Sequence, residues 1–158
     1  MKFPAAPIKY ISECQIRGLE NNEFMAQPKW DGRRAIKFPG EPLIYKSQKP
    51  VDAKPWKNLK IPDVNVPLDL ELMRDRAIVI DLIIDIPFAD RLRMMNDLNL
   101  DHMAQTINSK KGINDMLMLC LKSGICDGIV LKRLTSGYPI GESRQINFVD
   151  WIKVKELI

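Results

Sequence analysis

Between Phe24 and Phe38 the chain reads FMAQPKWDGRRAIKF, and a lysine, an acid, a glycine and two arginines crowd into the stretch from Lys29 to Arg34. A tight turn needs only the Asp-Gly pair, so the cations around it call for another use. Charge suggests one. From Lys29 to Lys60 there are nine basic residues against three acids, a local +6 in a chain whose total is +4. Such a patch suits a polyanion bound through its phosphates. Zinc chemistry is excluded, because Cys14, Cys120 and Cys126 form no C-x-x-C pair and the lone His102 cannot complete a ligand set with them. The cysteines read instead as reduced, mostly buried thiols of an intracellular, cytoplasmic protein.

These residues must be positioned by a small body. At 158 residues, 46% apolar and 28% charged, the chain predicts one domain, 1–158, with a core of its own. The start MKFPAAPIKYISE lacks an apolar signal core, and AIVIDLIIDI is too short and too acidic to span a membrane. Apolar positions on either side of Asp31-Gly32 predict two strands joined at that turn. PLIYKS predicts a third, and the proline- and lysine-rich run up to Pro67 predicts a loop. PLDLEL is a further strand, and RAIVIDLIIDI, rich in β-branched residues, is expected in the centre of a sheet. FADRLRMMNDLNL places Phe88, Leu92, Met95 and Leu98 on one helical stripe, and GINDMLMLCLKSG predicts a second helix stopping at Ser123-Gly124. DGIVLKR and FVDWIKVKEL predict two late strands, the last presenting Trp151, Lys153 and Lys155 on one face.

Taken singly, each charged residue has an ordinary reading. Lys29 is a surface lysine beside a turn, Glu71 an exposed strand residue, Asp127-Gly128 a turn into a strand, and Lys153 and Lys155 guards of a sheet edge. Trp30 and Trp56 read as packing or surface residues. Taken together, KWDGRR (Lys29 to Arg34), LDLEL (Leu68 to Leu72), DGIVLK (Asp127 to Lys132) and WIKVK (Trp151 to Lys155) resemble, in order, the motifs of the covalent nucleotidyltransferases, above all the ATP-dependent DNA ligases. IDLIIDIPFADRLRMMNDL is similar to that family's strand and following helix, and SGYPIGESRQINFVDW to the lead into its last motif. The resemblance runs from about Phe24 to the C-terminus.

That resemblance implies an α+β nucleotidyltransferase (adenylation-domain) fold of antiparallel sheets flanked by helices, with no OB-fold domain, since the chain ends three residues after Lys155. It implies an enzyme that attaches AMP from ATP to Lys29 and passes it to a 5′-phosphate at a nick in duplex DNA, as in DNA repair or replication. A lysine amine attacks phosphorus only when neutral, and neighbouring cations and partial burial favour that form. Carried over position by position, Lys29 is the nucleophile, Asp31 orients it or a metal-bound water, and Gly32 permits close backbone approach. Arg34 grips ribose or phosphate, Lys153 and Lys155 supply positive charge, and Gln27 joins the nucleotide-binding set. Glu71 and Asp127 hold Mg2+, or Mn2+ in its place, which would neutralise the leaving pyrophosphate. Arg33, Lys46, Lys49, Lys132, Arg133 and Arg144 would contact nucleic-acid phosphates.

Three positions depart from the family pattern. Gln48 replaces an arginine, Leu70 a glycine between Asp69 and Glu71, and Ile80 an aromatic residue before Asp81. The expected partner is nicked duplex DNA, together with a separate clamp or a replication or repair protein; the protein itself is expected to be monomeric. The resemblance favours DNA over RNA, because Arg34 completes a K-x-D-G-x-R pattern that is more similar to DNA ligases and capping enzymes than to RNA ligases. A GTP-using capping guanylyltransferase, or a ligase-like module that binds nucleic acid without sealing it, are the alternatives.

Overall fold

Two sheets, each with its own apolar core, divide the chain's strands between them. The structure, a computed structural model, describes residues 9–10, 24–45, 47–52, 54–107, 109–138 and 151–157. The first sheet contains β1 (Lys9–Tyr10), β2 (Phe24–Trp30), β7 (Gln105–Thr106), β8 (Cys126–Arg133) and β9 (Trp151–Val154), in the order β1-β9-β8-β2-β7. It is antiparallel except at β1, which runs parallel to β9. Strand alternation turns Ala26, Ile129, Leu131, Ile152 and Val154 to one side, against Ile113, Met116, Leu117 and Cys120 of α2 (Lys110–Ser123). Ser109 caps that helix by accepting from the Gly112 N–H, and Gly124 at φ 70° ends it, in agreement with the Ser-Gly stop signal.

The second sheet is fully antiparallel: β4 (Ile44–Tyr45), β3 (Arg33–Lys37), β5 (Leu68–Leu72) and β6 (Ala77–Leu82), in the order β4-β3-β5-β6. Leu68, Leu70, Leu72, Val79 and Leu82 pack with Phe88 and Met95 of α1 (Phe88–Asp97). Truncating a fully buried leucine such as Leu70 to alanine removes transfer energy and leaves a cavity, costing about 2–5 kcal/mol.

The strands flanking Asp31-Gly32 are joined at that turn, as expected, and the turn carries the chain from the first sheet to the second. Several other expectations need correction. β6 is an edge strand, not a central one. Its apolar run is still covered, because α1 packs on it and the Val79 N–H donates to the carbonyl of Asp101 at 2.8 Å. In α1, Arg91 takes an inward position beside Phe88 and Met95, while Leu98 lies beyond the helix at 41% exposure. The stripe rotates because an acid waits beneath Arg91, as described below. The third strand shrinks to Ile44–Tyr45, since Gln48, at φ 67°, turns the chain back so that the Tyr45 N–H meets the Lys49 carbonyl. β1 and β7, two residues each, carried no sequence signal.

Candidate active site

A cleft of about 180 Å³ lies between the sheets, bordered by Gln27, Lys29, Arg34, Glu71, Ile80, Lys132, Trp151 and Lys153, among others. Strand register explains this set. Gln27 pairs with Val130, and Val130 with Lys153, so these three share a face; Met25, Lys132 and Trp151 are matched in the same way one pair along. That face is opposite the one packed on α2.

Lys29 follows Gln27 by two residues and shares its orientation. Its Nζ lies 2.6 Å from Asp127 Oδ1, and Lys155 Nζ lies 2.8 Å from Asp127 Oδ2, so one carboxylate bridges two lysines. By simple alternation Asp127 would point to the core with Ile129 and Leu131. A register irregularity between Pro28 and Trp30 breaks the alternation. Gly128 makes this possible. Its φ of +152° is one that side chains rarely adopt, and an added Cβ would lie 2.5 Å from the Val154 carbonyl oxygen. Burial disfavours the Asp127 charge, but the hydrogen bonds from Lys155 and Lys29 outweigh it and hold the carboxyl below its ordinary range. Lys153 is shifted down from the usual lysine range by burial and by the charges of Lys29 and Lys155.

From the second sheet come Arg34 and Glu71. Arg34 makes a two-pronged contact with Asp69, Nε to Oδ1 at 2.8 Å and Nη2 to Oδ2 at 2.5 Å. Tyr138 donates to the same Oδ2 at 2.8 Å. Burial opposes the guanidinium charge, but Asp69 more than compensates and keeps it firmly protonated. Glu71 Oε1 accepts the Gly32 N–H at 3.0 Å. Only glycine fits there, since an added Cβ would lie 2.5 Å from the Leu72 carbonyl oxygen. Burial and the nearby Asp69 charge raise the Glu71 carboxyl to about 7, against the opposing pull of the Gly32 N–H, Arg34 and Lys29.

The other expected residues are scattered. Asp31 is exposed in the turn, its backbone N–H donating to the Ile125 carbonyl at 3.0 Å; the carboxylate that meets Lys29 belongs to Asp127 instead. Lys132 is a clear correction. It is fully buried, bonded to the Ile80 carbonyl at 2.8 Å and to Asp81 at 2.9 Å, so it cannot meet a phosphate backbone at the surface. Burial also lowers its pKa, partly offset by Asp81. Arg33 lies over the Tyr45 ring, Arg133 over Phe24, and Lys49 is exposed. Lys46 and Arg144 lie outside the described residues. Among the described residues, no three acidic, histidine or cysteine side chains gather as a metal site.

Sequence reasoning missed the layer beneath the cleft. Asp81 binds Arg91 at 2.7 Å as well as Lys132, and Arg91 also donates to the carbonyls of Ile86 and Ser136. The signal was present: Asp69 and Asp81 are acids inside apolar strands, where a buried charge requires a partner.

Comparison of structures supports the same architecture. The chain is similar to a Lig E DNA ligase at 18% identity and TM-score 0.68, covering 96% of this chain and 68% of that one. It is similar to the Chlorella virus DNA ligase-adenylate at 14% identity and TM-score 0.67, covering 99% and 69%. An archaeal ATP-dependent RNA ligase is similar at 12% identity and TM-score 0.67, covering 96% and 48%, so this chain spans about half to two thirds of such structures. No family model and no curated protein matches the sequence. The two sheets and the helices have the nucleotidyltransferase-domain fold of these DNA and RNA ligase structures.

Proposed function

We propose that the chain is the adenylating core of an ATP-dependent polynucleotide ligase, with Lys29 as the residue that takes up AMP and a nick in DNA as the substrate sealed. The observation that carries this reading is the meeting of lysines from two distant segments at one carboxylate: Lys29 and Lys155 on Asp127, with Lys153 alongside Lys29 at the cleft. A surface turn or an edge strand would need no such arrangement.

The cleft fits ATP on two counts. Lys29, Arg34 and Lys153 border it with positive charge suited to a triphosphate. The Gln27 Oε1 is buried there without a protein partner, an acceptor suited to the amino group of adenine. Asp127, itself bonded by Lys155, holds the Lys29 amine in place. Once deprotonated, Nζ forms a bond to the α-phosphorus as the bond to pyrophosphate breaks, and AMP later passes to a 5′-phosphate. Glu71 and Asp127 would share a Mg2+ or Mn2+ ion held mainly by phosphate oxygens and water, the usual arrangement for so small a cation. Such an ion supplies charge neutralisation for the leaving group.

The test is intact-mass measurement of the denatured protein after incubation with ATP and magnesium. A mass increase of one AMP is expected, lost in Lys29→Ala while the melting temperature changes little. Retained label in that variant would move the nucleophile elsewhere. Sealing of nicked DNA against nicked RNA then decides the substrate.

A further inference from the structure

Gln27 uses only one end of its amide within the protein. Nε2 donates to the carbonyl of His102 at 3.0 Å, whereas Oε1 is buried and unpartnered. The side chain is 4% exposed and borders the cleft. An unmet buried acceptor is costly, so a donor on a cleft ligand is its natural complement. Which end of the amide faces the ligand is decided by His102. Reversing the amide would set Oε1 against the His102 carbonyl, two acceptors at hydrogen-bonding distance.

That carbonyl is held from several directions. The His102 Nδ1 accepts the Ala104 N–H at 3.0 Å, so the neutral ring carries its proton on Nε2 and donates it to Asn96 Oδ1 at 2.6 Å. Asn96 belongs to α1, and the preceding residue, Asp101, is tied to β6 through Val79. Asn99 and Met103 adopt φ values of 51° and 52°, left-handed conformations that persist only where surroundings impose them.

We infer that His102 is a positioning residue for purine choice: its pinned carbonyl fixes the Gln27 amide so that the cleft offers an acceptor, which welcomes the exocyclic amine of adenine and refuses the 6-oxo group of guanine. The inference rests on the cleft being the nucleotide site. Freeing the His102 carbonyl lets the amide turn and offer Nε2 to guanine instead.

The experiment compares initial rates of covalent labelling with radiolabelled ATP and GTP, alongside calorimetric binding of AMP and GMP, in the wild type, His102→Ala and Asn96→Ala. Asn96→Ala removes only an exposed hydrogen bond, which guards against loss of fold. The wild type should favour adenine, and both variants should lower the adenine-to-guanine ratio by roughly tenfold, with guanine use rising in absolute terms. General damage would depress both nucleotides in parallel. An unchanged ratio in folded variants, or a wild type that favours guanine, overturns the inference. If neither triphosphate labels the wild type, the adenylation reading fails separately, and the AMP-to-GMP binding ratio still decides the role of His102.

Discussion

Asp127 holds the amine of Lys29 at 2.6 Å across 98 residues of sequence. Both side chains are partly exposed, at 24% for Lys29 and 34% for Asp127, so the pair contributes at most about 1 kcal/mol to stability; on the proposed function its use is to aim the amine and help hold the metal ion. Asp127→Asn should therefore leave the fold standing while lowering self-adenylation by roughly 10–100-fold, partly restored by more magnesium or manganese. The carboxyl is held below its ordinary value of 3.8. A depressed carboxyl stabilises the fold above that ordinary value, and the benefit drains away as pH falls through the lowered one. Melting temperature against pH should show this acid limb in the wild type and a weaker one in the variant. Unaltered labelling by Asp127→Asn would remove Asp127 from the site.

Glu71 titrates in the opposite sense. Its carboxyl is raised from 4.5 to about 7, so the folded state favours the protonated form. The associated stability is complete below about pH 4.5 and is lost as pH rises through about 7. Glu71→Gln keeps an acceptor for the Gly32 N–H and cannot ionise. The metal-free variant should gain in melting temperature relative to the wild type between those two values and hold a constant advantage above pH 8. Parallel curves would show that the half-buried Glu71 carboxyl is not held protonated by its surroundings.

Beneath the cleft, Asp81, Arg91 and Lys132 are all fully buried, and both cations donate to the Asp81 carboxylate. Asp81→Asn strands two buried cations, so it should cost about 3–5 kcal/mol in urea unfolding, whereas Arg91→Met leaves Asp81 paired with Lys132 and should cost less. Replacing all three with apolar residues should cost much less than the sum of the single losses. Additive losses would show that the three groups do not act as a unit.

Salt dependence separates surface cations from buried ones. Arg33→Ala and Lys49→Ala should each flatten the plot of log affinity against log salt for duplex DNA by roughly 0.9, the effect of one lost phosphate contact. Lys132→Met should leave that slope unchanged while destabilising the protein. A slope that changed with Lys132 would mean that it reaches the backbone after all.

Much of this was legible in the sequence where local periodicity and local chemistry agree. The Gly124 stop and the spans of β5 and β8 follow from residues close to one another. Lys29, Glu71, Asp127 and Lys153 were legible through motif order, which survives when spatial distances cannot be read. What escaped depends on pairing between distant segments. Asp31 has the same chemistry as Asp127 and a nearer position in sequence, yet the register irregularity opposite Gly128 gives the contact to Asp127. Lys132 alternates like a cleft residue but is claimed by Asp81 and the Ile80 carbonyl. Gln27 depends on a backbone carbonyl 75 residues away, for which no side-chain pattern exists.

The two-residue passage Asp31-Gly32 is the short tether between the sheets; the other route among the described residues runs from β6 through α1 to β7. Mechanically, a short tether on one side and a long one on the other make a fulcrum. If the sheets rock to admit or release a bulky guest, displacement grows with distance from that turn, and Lys29, two residues before it, travels least. On the proposed function, the amine that takes up AMP would thereby sit beside the pivot, where such rocking would disturb its alignment least.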